Sequence, residues 1–195
     1  TENTLRAQMQ KAMENGFARF YCESLWAAHT VKSLGGSWVG GPYLNITNSH
    51  SANFYASLGA EALTLSMELT LKQAQAVESP CPTGLAVYGQ LPMMKYRNCP
   101  AKSFMGCEKC KGRAVLTDRL GNRFPLFCRD KHYSCMLNCV PLYTGHKSDF
   151  RRMDFGLMIF TFETPEQCAA LVCDFEKGAE PSGKFTLGSY YKGVE

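Results

Sequence analysis

The first 90 residues alternate between short apolar runs and amphipathic stretches, a pattern that restricts the fold more than any other feature of the chain. The apolar runs predict strands at residues 17–22, 43–47, 62–65 and 85–88. Helical spacing and capping residues predict helices at residues 4–15, with Thr4 as the cap, at 25–34, from Ser49 or Ser51 to 59, and at 70–76. Because strands and helices alternate over short connections, we predict an α/β fold with a parallel sheet and right-handed crossovers.

The C-terminal part of the chain returns to the same kind of pattern. Residues 157–162 predict a fifth strand, and Thr164 with Pro165 predicts the start of a helix that continues to Glu176. A tail rich in Gly, Tyr and Phe follows at residues 184–193. We expect this tail to pack across one end of the sheet.

Polar side chains follow each predicted strand, at the positions where ligand sites of α/β folds lie. These candidates are Cys22 and Glu23, Asn45 and Asn48, Ser66 and Glu68, and Tyr88 with Gln90. Asn45, Asn48 and Glu68 could orient a polar ligand. Asn48 and Ser66 could equally cap helices, and the sequence leaves that alternative open.

Four cysteines carry the strongest chemical signal in the sequence. Cys99, Cys107, Cys110 and Cys128 form a C-x7-C-x2-C-x17-C array. A C-x2-C pair brings two thiolates close enough to bind one ion, and two further cysteines complete the sulfur shell that zinc or an iron–sulfur cluster prefers. The array therefore predicts a metal or cluster site.

Two other cysteines are alternative ligands of such a site. Cys135 and Cys139 are four residues apart, which allows a shared ion on a helical turn, and His132 is close in sequence. We prefer Cys128, because the predicted hairpin next to it fixes its position.

Positive charge gathers around the same cysteines. Residues 95–131 contain ten Lys and Arg against three acids, a net charge of +7, whereas the whole chain carries +4. Such a cluster could balance thiolate charge or contact the phosphates of a nucleic acid, and it could also be a solvated face without a ligand.

Residues 92–143 predict an insertion of irregular structure. Pro92, Pro100, Gly106, Gly112, Gly121 and Pro125 interrupt any long element in this segment. A small hairpin is predicted from residues 114–117 and 123–128. It would carry Cys128 back toward Cys107 and Cys110.

Ten cysteines in 195 residues is a high number, which in a small secreted chain would indicate disulfides. The first 15 residues are polar rather than a signal sequence, and no apolar run approaches the roughly 20 residues of a membrane span. We therefore expect a soluble cytoplasmic protein, or else a mature fragment, without membrane association.

Six segments of the sequence resemble one protein family in the same order and with natural spacing. They are YLNITNS (43–49), LGAEALTLSMELTL (58–71), YGQLPMMKYRNCP (88–100), LTDRLGNRFP (116–125), NCVPLY (138–143) and FTLGSYYKGV (185–194). These segments resemble the collagenase-like peptidase family, the unassigned peptidase family numbered thirty-two.

The resemblance implies a TIM-type barrel, of which this chain is expected to be the C-terminal part. A complete barrel needs about 250 residues. We therefore expect residues 1–195 to be one α/β domain, a partial TIM-type (β/α) barrel that contains the cysteine-rich insertion 92–143. The exposed strand edges of such a fragment predict a homo-oligomer or association with an N-terminal part of the barrel. The isolated fragment could lack activity.

The resemblance also implies a function for the cysteines. Other members resemble iron–sulfur proteins that support hydroxylation of RNA bases or quinone precursors, with a cluster held near the counterpart of Cys99. Pro92 stands where certain relatives have a ligand cysteine, and Cys107 with Cys110 would compensate. The first hypothesis is thus a 4Fe-4S enzyme with Cys99, Cys107, Cys110 and Cys128 as ligands.

In this hypothesis Arg97 contacts an anionic substrate. The mouth of the barrel is lined by Asn45, Asn48 and Glu68, and RNA is a candidate partner. The alternative is a peptidase whose cysteines hold a structural zinc. No Ser-His-Asp arrangement or H-E-x-x-H motif is apparent, so no catalytic residue is assigned. A third, weaker reading is a nucleic-acid-binding module without catalysis.

Overall fold

The computed structural model describes residues 2–129 and 133–193. Asp130 and Lys131 of the basic segment, the candidate ligand His132 and Val194 after the tail lie outside the described residues. The helices of this part are α1 (Glu2–Glu14), α2 (Leu25–Ser33), α3 (Ser49–Ser57), α4 (Leu71–Gln75), α5 (Pro100–Cys110) and α6 (Pro165–Lys177). The strands are β1 (Arg19–Cys22), β2 (Ser37–Gly40), β3 (Ala60–Thr64), β4 (Thr83–Gly89), β5 (Pro92–Tyr96), β6 (Arg113–Thr117), β7 (Arg123–Arg129), β8 (Tyr133–Leu137), β9 (Leu142–Tyr143) and β10 (Phe155–Ile159). Among the described residues, no helix combines the length and the apolar character needed to cross a membrane.

The largest sheet has the strand order β1–β2–β3–β4–β10, and its first four strands are parallel. Cys22 lies opposite Gly40, and Thr64 lies opposite Gly84. Helices α2, α3 and α4 each connect one parallel strand to the next, as the alternation in the sequence predicts. The α/β class and the partial TIM-type (β/α) barrel are confirmed.

Side-chain caps fix the beginnings of four helices. Each cap accepts a hydrogen bond from the backbone amide three residues further on; the caps are Ser24 for α2, Asn48 for α3, Thr70 for α4 and Thr164 for α6. Thr70 and Thr164 are the predicted caps. The cap of α3 is Asn48 rather than either of the serines that follow it, and α1 already begins at Glu2, so Thr4 lies inside that helix.

The second strand is β2, and the prediction of a strand at residues 43–47 is wrong. Pro42 has no backbone amide to pair with a neighbouring strand, and it begins a short 3-10 turn that ends at Leu44. Asn45 then adopts a left-handed conformation with φ of 53°, which a strand excludes. The apolar residues after Pro42 therefore belong to the connection between β2 and α3.

The described residues form two compact units. The first contains the residues up to Val87, Thr144–Met158 and the residues from Leu187 onward, and the second contains Tyr88–Tyr143 and Ile159–Thr186. The first unit holds β1, β2 and β3 with helices α1 to α4. The second unit holds α5, α6 and an antiparallel sheet of order β5–β8–β7–β6, so residues 92–143 lie wholly within it.

The core of the first unit surrounds the parallel strands. Trp38, Leu63 and Leu85 are among its largest fully buried side chains. The tail contributes Tyr190, which is buried and whose hydroxyl donates a hydrogen bond to the Ala86 carbonyl oxygen at 2.7 Å. The C-terminal segment is thus part of the core of this unit.

Glycine allows a close contact at β4. A Cβ atom at Gly84 would overlap the ring of Phe155, the first residue of β10, and would lie 2.6 Å from the Phe155 carbonyl oxygen. Any side chain at this position would push the two residues apart. The approach of these strands therefore depends on Gly84.

The cysteine-rich segment is more regular than the sequence predicts. Strands β6 and β7 form the predicted hairpin, and its turn is fixed by Asp118, which accepts hydrogen bonds from two backbone amides. Strands β5 and β8 and helix α5 are additional elements. Two of the three prolines that suggested irregular structure stand at element ends, because Pro92 begins β5 and Pro100 begins α5. Pro125 lies within β7, opposite Val115 of β6.

Candidate functional site

Helix α5 carries three of the four predicted cysteine ligands. Cys99 is its N-cap, and Cys107 and Cys110 lie in its last turn. Gly106 interrupts the helix with φ of 73° and ψ of 157°, a combination that is essentially limited to glycine. The break gives the turn with Cys107 and Cys110 a direction independent of the turns that follow Cys99.

The fourth cysteine reaches the helix through β7. The backbone amide of Cys128 donates a hydrogen bond to the carbonyl oxygen of Gly112 at 2.9 Å. Gly112 follows Lys111, whose left-handed conformation with φ of 48° ends α5. This backbone contact therefore holds Cys128 beside Gly112, which is two residues after Cys110. The predicted hairpin brings the two segments together in this way.

Strand register determines which other side chains share the face of Cys128. Cys128 of β7 lies opposite Ser134 of β8, and Ser134 lies opposite Tyr96 of β5. Cys135, the next residue of β8, lies opposite Phe127 and so points to the other face of the sheet. Cys128 and Cys135 are therefore on different faces.

A single cavity of about 660 Å³ within the second unit is bordered by all four predicted ligands, Cys99, Cys107, Cys110 and Cys128. Cys107 is exposed and the other three are half-buried, and all four thiols are free of disulfide bonds. Over residues 2–129 and 133–193, no group of three or more His, Cys, Asp or Glu side chains is already arranged to hold a metal ion. The four cysteines therefore line a space, and among the described residues they do not form a preformed single-ion site.

Basic side chains border the same cavity. Arg97, Lys102 and Lys111 all line it, and Arg97 is exposed to solvent. Opposite charge next to a thiol favours the thiolate, which is the form that binds metals. The positive charge counted in the sequence is thus partly located at the cysteines.

The environment of Cys99 favours its thiolate. Partial burial raises the pKa of this thiol, but the hydroxyl of Ser134, the backbone amides of Lys102 and Ala101 and the charge of Lys102 together hold the pKa below its usual value. Ser134 is fully buried, and among the described residues its hydroxyl meets the geometry of a hydrogen bond with no group. This hydroxyl is therefore available to the sulfur of Cys99.

The two alternative cysteines have other surroundings. Cys135 is buried, and its burial raises the pKa of its thiol although the charge of Lys95 opposes this. Cys139 is half-buried, with its sulfur 3.6 Å from the side-chain oxygen of Asn138. Neither borders the cavity of the four cysteines.

The predicted substrate-binding residues are divided between the units. Arg97 belongs to the second unit with the cysteines, whereas Asn45, Asn48 and Glu68 belong to the first. The side-chain oxygen of Asn45 accepts a hydrogen bond from the Ser66 hydroxyl at 2.7 Å, so these two residues join the connections that follow β2 and β3. Glu68 is exposed, and its amide donates to the Ser66 hydroxyl at 3.3 Å.

Asn48 has a structural role that the sequence had left open. Its side-chain oxygen accepts the Ser51 amide at 2.9 Å, and the Ser51 hydroxyl lies 3.4 Å from the Asn48 amide, which completes a capping box. Ser66, in contrast, does not cap a helix but links Asn45 to the backbone of Glu68.

Sequence reasoning missed two kinds of residue at this site. Lys102 and Lys111 were counted only as part of the basic segment, although a lysine beside a cysteine array is a signal that could have named them. Ser134 carries no such signal. Its approach to Cys99 results from the pairing of β8 with both β5 and β7.

Comparison with known proteins gives one match. The model of a family described as peptidase family U32 matches residues 3–122, a range that contains β1 to β6 and three of the four cysteines of the cavity. Neither the curated proteins nor the solved structures contain a match to this chain.

Proposed function

The chain belongs to peptidase family U32, and on that premise we propose that it is an iron–sulfur-dependent enzyme that supports hydroxylation of an RNA base or of a small anionic or aromatic substrate. The proposal rests on one observation. Cys99, Cys107, Cys110 and Cys128 border a single cavity, together with basic side chains.

The donors around the cavity fit an iron–sulfur cluster. Four cysteine thiolates are the usual ligand set of a 4Fe-4S cluster, and Cys99 is held toward its thiolate form by neighbouring amides, a hydroxyl and a lysine. The bound cluster would supply one-electron chemistry that no side chain of the protein can provide. The same thiols suit zinc, so the donor set alone does not choose the metal.

The basic side chains would do two things at this site. Arg97, Lys102 and Lys111 would offset the negative charge of four thiolates, and exposed Arg97 would bind an anionic group such as a phosphate of RNA. Glu68 and Asn45, at the strand ends of the first unit, would each offer a polar group to a ligand bound there. Asn48 would contribute mainly by capping α3, because its side chain is already engaged there.

Metal and sulfide analysis of anaerobically purified protein tests the cluster. We expect about four iron and four sulfide per chain, and a loss of most of both in Cys99→Ala, Cys107→Ala, Cys110→Ala and Cys128→Ala. Cys173→Ala is the matched control, since Cys173 is exposed on α6 and does not border the cavity. Cys135→Ala should also retain the cluster.

One result would contradict the cluster, and another would contradict its ligand set. Protein with zinc and no sulfide would overturn the cluster. A Cys135→Ala variant that loses iron while Cys128→Ala keeps it would overturn Cys128 as a ligand. In the second case the alternative ligand would be the correct one.

Salt dependence of RNA binding tests the nucleic acid as substrate. Affinity should fall steeply as salt increases, and each lost phosphate contact should reduce the slope of log K against log[salt] by about 0.7 for a single strand. We expect such reductions in Arg97→Gln and Lys102→Gln but not in Lys72→Gln, which lies on α4 of the first unit. Equal slopes in all three variants would exclude the cavity as the RNA contact.

The family description favours a peptidase as the alternative function. We propose that the four thiols would then hold a structural zinc. Zinc-containing protein without sulfide that cleaves gelatin or short peptides would support it. In that case, zinc removal should lower the melting temperature and activity together, since the ion would order the segment that carries the four thiols.

A further inference from the structure

A second cavity lies within the second unit, near the carboxyl end of β4, and shares no lining residue with the cysteine cavity. Its volume is about 510 Å³, which is within the usual range for a small-molecule site. Its polar lining residues are Tyr88, Gln90, Glu163, Gln167, Asp174 and Ser182. None of these groups has a part in the function proposed above.

Tyr88 and Glu163 form a hydrogen-bonded pair in the wall of this cavity. The Tyr88 hydroxyl donates to Oε1 of Glu163 at 2.7 Å, and the amides of Thr161 and Phe162 donate to Oε2 at 2.6 and 2.9 Å. A carboxylate offers about four acceptor positions, so three donors leave one of them on Oε1. The hydroxyl, having donated its proton, keeps its own acceptor positions. The pair can therefore accept further hydrogen bonds from a ligand but has none left to donate.

The charge of the cavity is negative. Partial burial raises the pKa of Glu163, but the Tyr88 hydroxyl and the backbone amides outweigh it and hold that pKa below its usual value, so the carboxyl group is ionised at neutral pH. Asp174 adds a second carboxylate from α6. The lining residues that the structure describes include neither lysine nor arginine. The cysteine cavity of the same unit, in contrast, is lined by three basic side chains.

Apolar groups complete the wall. Phe162, Leu171 and Pro141 line the cavity beside the polar groups. The guanidinium carbon of Arg113 lies 5.3 Å from the centroid of the Phe162 ring, so this ring already has a cation as its partner. The hydrocarbon body of a short amine would pack against the apolar groups while its ammonium groups reach the carboxylates.

We propose that this cavity binds a small aliphatic amine, with one ammonium group at Tyr88 and Glu163 and a second at Asp174. The acceptor positions match the donors of an ammonium group, and the two carboxylates match the charge of a diamine. The site does not depend on the cysteines, so it goes beyond the function proposed above and stands or falls independently of the cluster.

Titration calorimetry with three four-carbon compounds tests the charge requirement. The probes are 1,4-diaminobutane, the neutral 1,4-butanediol and the dianion butanedioate, added to the full chain at low ionic strength. We expect only the diamine to bind, and to shift the backbone amide signals of Gln90 and Leu171 in nitrogen-15 spectra. No binding of the diamine at about 10 mM, or binding of the dianion with similar affinity, would overturn the proposal.

Three variants test the position of the site. Asp174→Asn removes a charge without changing shape, and Tyr88→Phe removes an acceptor while Glu163 keeps its two amide donors. Glu176→Gln is the control, an exposed acid on the same helix that does not line the cavity. Asp174→Asn should weaken diamine binding roughly tenfold and Tyr88→Phe should weaken it measurably, with Glu176→Gln unchanged. Equal weakening by Asp174→Asn and Glu176→Gln would mean that the diamine binds only the acidic surface and would overturn the proposal.

Discussion

Gly84 is a residue at which the parallel sheet has no room for a side chain. A Cβ atom there would overlap the Phe155 ring and crowd its carbonyl oxygen. We expect Gly84→Ala to lower the free energy of unfolding by about 1–3 kcal/mol, the usual cost of overpacking a core. Urea denaturation measures this. Gly183→Ala is the control, because a Cβ at Gly183 meets no atom within 4 Å, and a similar cost for both variants would contradict the explanation.

Tyr190 should make stability depend on pH in the alkaline range. Burial raises the pKa of its hydroxyl above the value of about 10 that tyrosine has in an unfolded chain. Folding therefore favours the protonated form, so the contribution of this hydroxyl is complete below about pH 10 and is lost as pH rises further.

The comparison of Tyr190→Phe with the natural chain measures this effect. At neutral pH the variant should lose about 1 kcal/mol, because the Ala86 carbonyl oxygen loses its donor. The difference should shrink as the pH of the urea denaturation is raised from about 8 to 11. A difference that stays constant over this range would contradict the assigned direction of the shift.

At the residue scale, the sequence predicted features that depend on neighbouring residues and missed those that depend on distant ones. Thr70 and Thr164 are correct helix caps because capping depends only on residues a few positions away. The strand predicted at 43–47 failed because Pro42 and the left-handed Asn45 outweigh an apolar pattern. The effect of the Ser134 hydroxyl on the pKa of Cys99 depends on strands that are distant in sequence, and no local pattern reveals it.

Helix α5 is the element on which the geometry of the cysteine cavity depends. Gly106→Ala should penalise the conformation with φ of 73° and favour a continuous helix, which redirects Cys107 and Cys110 relative to Cys99. We expect a clear loss of iron and sulfide per chain, with nearly unchanged stability of the first unit. Gly183→Ala is the control for glycine replacement as such. Full iron content in Gly106→Ala would mean that the break in the helix is not required for the cluster.

At the level of elements, the sequence predicted the parallel strands and their connecting helices better than the strands of the antiparallel sheet. Helices α2, α3 and α4 and strands β3 and β4 lie close to their predicted ranges, because apolar periodicity is strong there. In the cysteine-rich segment only the hairpin of β6 and β7 was predicted. Strands β5 and β8 were missed since prolines and glycines, which usually mark loops, stand at their ends or between them.

The whole molecule should associate with itself through β1. This strand is at the end of the sheet order, and within the described residues it pairs only with β2. Phe17, just before it, is 66% exposed, and Tyr21 within it is 46% exposed. Unpaired strand edges with apolar neighbours favour pairing between chains. We therefore expect a dimer or larger species in light scattering at micromolar concentration.

Phe17→Glu should shift this equilibrium toward the monomer, because it places charge beside the open edge. Leu120→Glu is the matched control, since Leu120 is 87% exposed on the hairpin turn of the second unit. A monodisperse monomer of the natural chain with normal cooperative melting would contradict the expectation. Equal effects of both variants would place the contact elsewhere.

The division of the chain has a consequence for its synthesis. The first unit is assembled from three separate stretches, and the last of them contains Tyr190, which binds Ala86 from a position 104 residues later in the chain. All strands of the antiparallel sheet and all four cysteines of the cavity leave the ribosome before that residue does. A nascent chain that ends just before Tyr190 therefore already contains the complete sequence of the cysteine-bearing sheet, while the core of the first unit still lacks the side chain that closes it.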